Sequence, residues 1–172
     1  MKPKANLLRV IHHKQPQWVP NGMESVVRIA SPVVERPDAA GKDAFNVEWS
    51  LEPQAEGGTF PTPGGHPIKD ISQWREQLIL PDLERIDWEP VRIQAERVNR
   101  RDNLVSGFVE MGLFERTYLL LGMEEALVRF LTDPKPMEDL VAVIADYKIA
   151  LIERFDDVAD LDMVWYGDDW GT

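Results

Sequence analysis

Two adjacent carboxylates, Asp168 and Asp169, follow an apolar run over residues 161–166. The run predicts a buried strand, and strongly helical sequence precedes it. In repeats of strand and helix, catalytic groups gather just after the strands, so both aspartates are candidate catalytic carboxylates. Trp170 adds apolar surface that a purely structural role does not require. The alternative is that Asp168, Asp169 and Gly171 cap a following helix.

The elements that position these carboxylates follow from hydrophobic periodicity and from turn residues. Helical patterns are expected at 7–11, 70–78, 90–101 and 137–155, and residues 110–118 are expected to be a loop that turns into a further helix ending at 133. Strands are expected at 17–20, 44–51, 104–109 and 161–166. Pro32 and Pro37 break any helix that begins near residue 26. This order predicts an α/β fold, the first half of a (β/α)8 barrel, with about four parallel strands and flanking helices in one domain over residues 1–172.

Composition limits the function classes. The chain has 172 residues, with 19 basic and 30 acidic side chains and a net charge of −11, which argues against nucleic acid or an anionic membrane as partner. There is no cysteine, so thiolate metal sites and cysteine catalysis are excluded. No apolar run approaches the roughly 20 residues of a membrane span, and residues 1–4 do not begin a signal peptide. A cytoplasmic location is expected.

Four segments in order resemble the uroporphyrinogen decarboxylase superfamily, which includes cobalamin-dependent methyltransferases. Residues 13–20 resemble its opening H-K-x-P-x-x-V-P, and 43–49 resemble its second strand. Residues 107–122, which contain T-Y-x-x-x-G, resemble its third strand and the following helix, and 162–172, with Gly-Asp-Asp-Trp-Gly-Thr, resemble a signature of the methyltransferase branch.

The resemblance implies the N-terminal half of a (β/α)8 barrel about twice this length. It also implies methyl transfer between a small methylated substrate and a corrinoid carried by a partner protein. The His and Cys ligands for zinc would lie in the second half, so no cofactor and no metal site are expected in this chain. The chain alone is expected to be inactive.

Arginine residues after the first strand distinguish the decarboxylases of this superfamily from its methyltransferases. Family decarboxylases carry R-Q-A-G-R after the first strand, because substrate carboxylates need guanidinium partners. Residues 21–25 here have no arginine and include the acid Glu24. The resemblance therefore favours the methyltransferase branch, and an arginine clamp supplied by Arg28 or Arg116 would count against it.

The expected pocket combines residues that follow different strands. Tyr118 matches the active-site tyrosine of the family and joins Asp168 and Asp169 as a catalytic candidate. Its alternative is a core tyrosine on an amphipathic helix. Adjacent Glu115 and Arg116 are expected to form a local ion pair or cap. The predicted substrate-binding residues are Glu24, Glu48, Glu110, Trp170 and His66. His66 belongs to a Gly- and Pro-rich loop, 53–67, that is either a substrate-covering lid or a passive excursion.

Two further hypotheses stay open. One is a carboxy-lyase of the uroporphyrinogen decarboxylase type, which retains Tyr118 and an acid. The other is a non-catalytic half-barrel that pairs with itself or with a second chain, because an open half-barrel exposes two strand edges and one face of its inner side chains.

Overall fold

The computed structural model describes residues 1–21, 24–51 and 58–169. The helices in this part of the chain are α1 (Pro3–Ile11), α2 (Trp74–Gln77), α3 (Glu89–Glu96), α4 (Leu113–Leu121), α5 (Met123–Thr132) and α6 (Pro134–Ala159). The strands are β1 (Val26–Ala30), β2 (Gly41–Lys42), β3 (Glu48–Leu51), β4 (Thr59–Pro61), β5 (Leu104–Val109) and β6 (Met163–Tyr166). The fold is mixed α/β, as predicted.

The chain divides into two compact units. The first contains residues 1–32, 87–109 and 152–166, and the second contains residues 33–86, 110–151 and 167–172. Each unit has its own three-stranded sheet.

The first unit is built on a parallel sheet with the strand order β1-β5-β6. Five of the six residues of the central strand β5 are buried, including Ser106, which is typical of a strand inside a parallel sheet. Ile29, Val105 and Val109 are fully buried on one face. Gly107 shares that face, and a Cβ there would lie 2.6 Å from Leu161 Cδ1, so glycine lets Leu161 pack directly on the strand.

One strand prediction in this unit is wrong, and a second is confirmed in position but not in burial. Residues 17–20 do not form a strand, because the Gln17 N–H and the Trp18 carbonyl bond to the Asn6 side chain at 2.7 and 2.9 Å. The first strand is β1 instead, and it occupies the position near residue 26 where the sequence allowed a helix that Pro32 would end. The predicted strand at 161–166 exists as β6, but all four of its residues are exposed rather than buried, because β6 lies at the edge of the sheet.

The second unit carries an antiparallel sheet with the order β2-β3-β4. The predicted strand at 44–51 is confirmed only at its end, as β3, and its antiparallel pairing makes the prediction of about four parallel strands wrong. The Asp43 carboxylate prevents an earlier start, since Oδ1 accepts the N–H groups of Phe45 and Val47, both at 2.9 Å. Asn46 completes this turn with φ +68°.

The loop predicted at 53–67 is only partly irregular. Residues 53–57 lie outside the described residues, and β4 occupies part of the remainder. The strand pairs with β3, so this part of the segment belongs to the antiparallel sheet.

The helices follow the predicted periodicity closely. Asp70 caps the turn before α2 by accepting the Ser72 N–H at 2.8 Å, as expected from its position. The helix predicted at 90–101 ends early, at Glu96. No helix in the described residues combines the length and the apolar character that a membrane crossing requires.

Candidate functional site

Four charged side chains lie in the core of the second unit. Arg116 and Lys148 are 0% and 2% exposed, and Glu35 and Asp43 are buried with them. Arg116 donates to Asp43 Oδ2 at 2.8 Å and to Glu35 Oε2 at 3.0 Å. Lys148 Nζ donates to both Glu35 carboxylate oxygens at 2.6 Å. Two cations thus meet two anions, so the network, which we call the buried ion network, is neutral.

The buried ion network fixes the rotation of α4. The Arg116 guanidinium lies 4.1 Å from the centre of the Phe45 ring in addition to its two ion pairs. With Arg116 turned into the core, its neighbour Glu115 and residue Tyr118, which lies one turn further along, remain half-buried. Removing one partner from a buried ion pair costs about 3–5 kcal/mol, because it leaves an uncompensated charge.

The network also holds the connection between β5 and α4. Lys148 Nζ donates to the Glu110 carbonyl at 2.9 Å, so all three of its protons have acceptors. The next residue, Met111, has φ +54°, a conformation that costs a non-glycine residue about 1–2 kcal/mol. The bond from Lys148 therefore stabilises a strained turn at the start of α4.

Asp168, in the segment that follows β6, binds the N-terminal end of α4. Its carboxylate accepts the N–H of Phe114 at 3.1 Å and of Glu115 at 2.9 Å, which are orphan donors in the first turn of α4. Gly112 N donates to the Gly167 carbonyl at 2.8 Å. A Cβ on Gly112 would overlap the Asp168 side chain, so this contact requires glycine.

Asp168 thus caps a helix, but the helix is α4, which comes earlier in the chain, and not one that follows. The adjacent Asp169 is thereby placed against Tyr118. The Tyr118 hydroxyl donates to Asp169 Oδ2 at 2.8 Å and lies 3.5 Å from Glu115 Oε1. Phe114 packs edge-on against the Tyr118 ring at 5.5 Å. The structure therefore brings together the three predicted catalytic residues, Tyr118, Asp168 and Asp169, and adds Glu115.

Glu115, Asp168 and Asp169 form an acidic cluster beside Tyr118. Its electrostatics favour retention of the protons on Glu115 and Tyr118. Partial burial raises the pKa of Glu115, and the negative charges of Asp169 and Asp168 raise it further. Burial also raises the pKa of Tyr118, and the hydrogen bond to Asp169 adds to the shift. The phenol consequently stays protonated at neutral pH and serves as a hydrogen-bond donor. Burial lowers the pKa of Lys148, while the charge of Glu35 opposes that shift.

The cluster offers a neutral phenol, a carboxylate acceptor and a carboxyl group with a raised pKa. A carboxyl group whose pKa is raised can serve as a general acid. A phenol held by a carboxylate can orient a polar group of a ligand. The arrangement is therefore competent for general acid–base chemistry and for hydrogen bonding to a small substrate.

The predicted substrate-binding residues lie in different surroundings. Glu110 is exposed at the end of β5, and its charge contributes to the raised pKa of Glu115. His66 Nδ1 donates to the Leu119 carbonyl at 2.9 Å and thus ties its segment to the C-terminal turn of α4. Glu48 is exposed on β3. Glu24, in the first unit, accepts from Trp18 Nε1 at 2.9 Å. Trp170 lies outside the described residues.

The sequence interpretation missed the buried ion network. The prediction that Arg116 forms a local ion pair or cap with Glu115 is wrong, because the ion pairs of Arg116 are with Glu35 and Asp43. One signal was available: Lys148 follows Ile144 by four residues and precedes Leu151 by three, so it lies on the apolar face of its helix. Glu35 offers no comparable signal, since it lies in a segment without periodicity.

Among the described residues, no group of three or more His, Asp or Glu side chains is arranged to hold a metal ion. The first unit has an open groove of about 360 Å³, lined by Val27, Ile29, Gln94, Arg97, Val98, Asn99 and Asn103. None of the predicted site residues is among those lining it.

The chain matches no protein-family model, no curated protein and no solved structure in the comparisons with known proteins.

The Asp168 cap and Gly112 should be energetically coupled. Asp168→Ala removes the acceptor of two helix N–H groups, so we expect a loss of about 1 kcal/mol in the free energy of unfolding. Gly112→Ala displaces the same carboxylate, so the two changes together should cost less than the sum of the single changes. Urea unfolding of the single and double variants measures the coupling. Additive losses would mean that Gly112 does not hold Asp168 in place.

The pKa of Glu115 should fall in an Asp169→Asn variant, because one of the neighbouring negative charges is removed. Carboxyl-carbon NMR titration measures this pKa directly, and Asp82→Asn, a change at an exposed acid, is the matched control. Because the pKa is raised in the folded state, the contribution of Glu115 to stability is present at low pH and lost as the pH rises through its folded pKa. An unchanged Glu115 pKa in Asp169→Asn would contradict the described geometry.

Proposed function

We propose that this chain supplies the N-terminal half of a (β/α)8 barrel of the uroporphyrinogen decarboxylase superfamily. We further propose that the complete barrel is a cytoplasmic methyltransferase that moves a methyl group between a small substrate and a corrinoid protein. Zinc, if the complete enzyme uses it, would be held by the other half. The observation that carries the proposal is the hydrogen bond between Tyr118 and Asp169.

That hydrogen bond joins two of the segments on which the resemblance depends. Tyr118 belongs to segment 107–122, and Asp169 belongs to segment 162–172, yet the two side chains are 2.8 Å apart. Two motifs that converge on one cluster are typical of an active site assembled from successive strand–helix connections. Tyr118 is assigned to accept a hydrogen bond from the substrate through its hydroxyl oxygen, Asp169 to orient the phenol by accepting its hydrogen bond, and Glu115 to exchange a proton.

The barrel half of the proposal is supported by the parallel sheet. The strands β1, β5 and β6 are parallel neighbours, and helices α4 to α6 lie between β5 and β6 in sequence. This is the repeat from which a (β/α)8 barrel is built. The antiparallel sheet containing β3 would then be an insertion between the first two parallel strands.

The environment of the arginines favours methyl transfer over decarboxylation. A substrate with many carboxylates needs guanidinium partners. Arg116 has no exposed surface, and Glu35 and Asp43 already neutralise it. Arg28 is exposed, and its guanidinium lies over the rings of Phe108 and Trp165. A single arginine stacked on aromatic rings is not the clamp that a polycarboxylated porphyrinogen requires.

Equilibrium dialysis of the 172-residue chain tests the proposal with two probes, methylcobalamin and an octacarboxylated porphyrin. Binding of methylcobalamin without binding of the porphyrin is expected. Tyr118→Phe should weaken methylcobalamin binding about fivefold, the equivalent of one hydrogen bond worth about 1 kcal/mol.

Tyr147→Phe is the matched control for loss of a hydroxyl. The Tyr147 hydroxyl is buried and has no hydrogen-bond partner among the described residues, so its removal should leave binding unchanged. Binding of the porphyrin alone would favour a carboxy-lyase. Binding of neither probe would contradict a tetrapyrrole-related role for this half of the barrel.

A further inference from the structure

We propose that the groove of the first unit binds a small organic anion, a molecule that carries one carboxylate or phosphate group on a short apolar body. The groove, of about 360 Å³, is lined by residues of β1, of the C-terminal end of α3 and of the turns between α3 and β5. It contains no residue of the acidic cluster, so the inference does not depend on the proposed function.

The apolar part of the groove is fixed by the parallel sheet. Val27 and Ile29 lie two residues apart on β1, so their side chains share one face of the sheet. Both residues are paired with β5, and Ile29 is 1% exposed. Val98, which follows α3, adds a third apolar side chain. The volume lies near the lower end of the range for small-molecule sites, about 300–1,000 Å³, so the expected ligand is small.

Two amide side chains in the polar part of the groove are held by hydrogen bonds. Asn99 Nδ2 donates to Asp102 Oδ2 at 3.0 Å, and Asn99 Oδ1 accepts the Arg101 N–H at 3.2 Å. Asn103 Nδ2 donates to the Asn99 carbonyl at 3.2 Å. An amide nitrogen carries two protons, so each Nδ2 keeps one N–H that no described residue accepts. These donors are ordered in advance, which lowers the entropy lost when a ligand binds.

Arg97 brings a positive charge to the groove that no carboxylate neutralises. Within the described part of the chain, the Arg97 guanidinium has neither an ion pair nor a hydrogen bond. Lys4 lies beside the groove, because its Nζ donates to the carbonyl of Asn103 at 2.9 Å and to that of Arg100 at 2.7 Å. Among the described residues, Lys4 has no carboxylate partner either. Two uncompensated cations thus adjoin the same groove.

The local charge selects an anion as the ligand. No carboxylate lines the groove, although the chain has 30 acidic side chains. The acids next to its lining residues in sequence are already paired, Glu96 with Arg92 and Asp102 with Lys2. The first unit has as many basic as acidic side chains, so the net charge of −11 comes entirely from the second unit. A guanidinium binds carboxylate or phosphate through charge-assisted hydrogen bonds.

The C-terminal end of α3 is compatible with an anion nearby. The carbonyls of Gln94 and Ala95 accept the N–H groups of Arg97 and Val98 at 3.2 and 3.1 Å, so two of the last carbonyls of the helix are satisfied. A cation at this end of a helix also offsets the partial negative charge of the remaining carbonyls. The anionic group is therefore assigned to Arg97, and the apolar body to the side chains of β1.

NMR titration of the intact, isotopically labelled chain tests the site with three probes of similar size, which are benzoate, phenyl phosphate and benzyl alcohol. We expect anion binding that shifts the backbone amide signals of residues 94–103, and binding of the neutral alcohol at least about tenfold more weakly. Binding of benzoate alone would identify a carboxylate ligand, and binding of phenyl phosphate alone a phosphate ligand. Binding of neither anion, or equal binding of the alcohol, would overturn the proposal.

The role of Arg97 is tested with Arg97→Gln, which removes the charge and keeps a polar side chain. Anion binding should weaken at least about tenfold, while binding of the alcohol should stay unchanged. Arg85→Gln is the matched control, because the Arg85 side chain is 87% exposed and lies in the second unit. Circular dichroism verifies that both variants are folded. An equal loss in the two variants would show a general effect of net charge, and it would reject the site as firmly as no loss in Arg97→Gln.

Discussion

Two backbone N–H groups at the start of α4 find their acceptor in the Asp168 carboxylate, more than 50 residues further along the chain. The rest of the candidate site depends on this long-range cap. It fixes the residues after β6 against α4, so that the adjacent Asp169 meets the Tyr118 hydroxyl. It also uses a carboxylate where the positive end of the helix dipole stabilises negative charge. Asp168 is therefore a helix cap, as one reading of the sequence suggests, but the helix that it caps lies earlier in the chain.

The buried ion network acts on the other side of α4. Arg116 and Lys148 do not reach solvent, and their value lies in geometry rather than in net stability. Arg116 sets which side of α4 faces the core, and Lys148 fixes the carbonyl that precedes the strained Met111 turn. The acidic cluster is therefore held by side chains that do not take part in its chemistry. Buried side chains of this kind hold the residues of a site in position without occupying the space in which a ligand binds.

The sequence predicts those parts of the fold in which local pattern decides the outcome. The helices α4, α5 and α6 and the strand β5 follow from periodicity and from Gly and Pro positions, and the structure confirms them. The strand at 17–20 and the parallel strand at 44–51 fail because side chains override the pattern. In the segment 17–20, backbone groups of Gln17 and Trp18 form hydrogen bonds with the Asn6 side chain. In the segment 44–51, the Asp43 carboxylate accepts two backbone N–H groups and stabilises a turn. Neither bond has a periodic signature.

The sequence likewise predicts some residues of the candidate site and not others. Tyr118, Asp168 and Asp169 are recognisable from their segments, and the structure brings them together. Glu35 and Arg116 are not predictable as partners, because a bond across 81 positions depends on the tertiary fold alone.

The most direct test of the site is an NMR titration of the Tyr118 phenol, followed through its ζ carbon in the wild-type chain and in Asp169→Asn. Burial and the Asp169 hydrogen bond predict a Tyr118 pKa well above the usual range for tyrosine, and a fall toward that range in the variant. A phenol that titrates in the usual range, with the same pKa in both proteins, would show that Tyr118 and Asp169 do not meet, and the account of the site would fail.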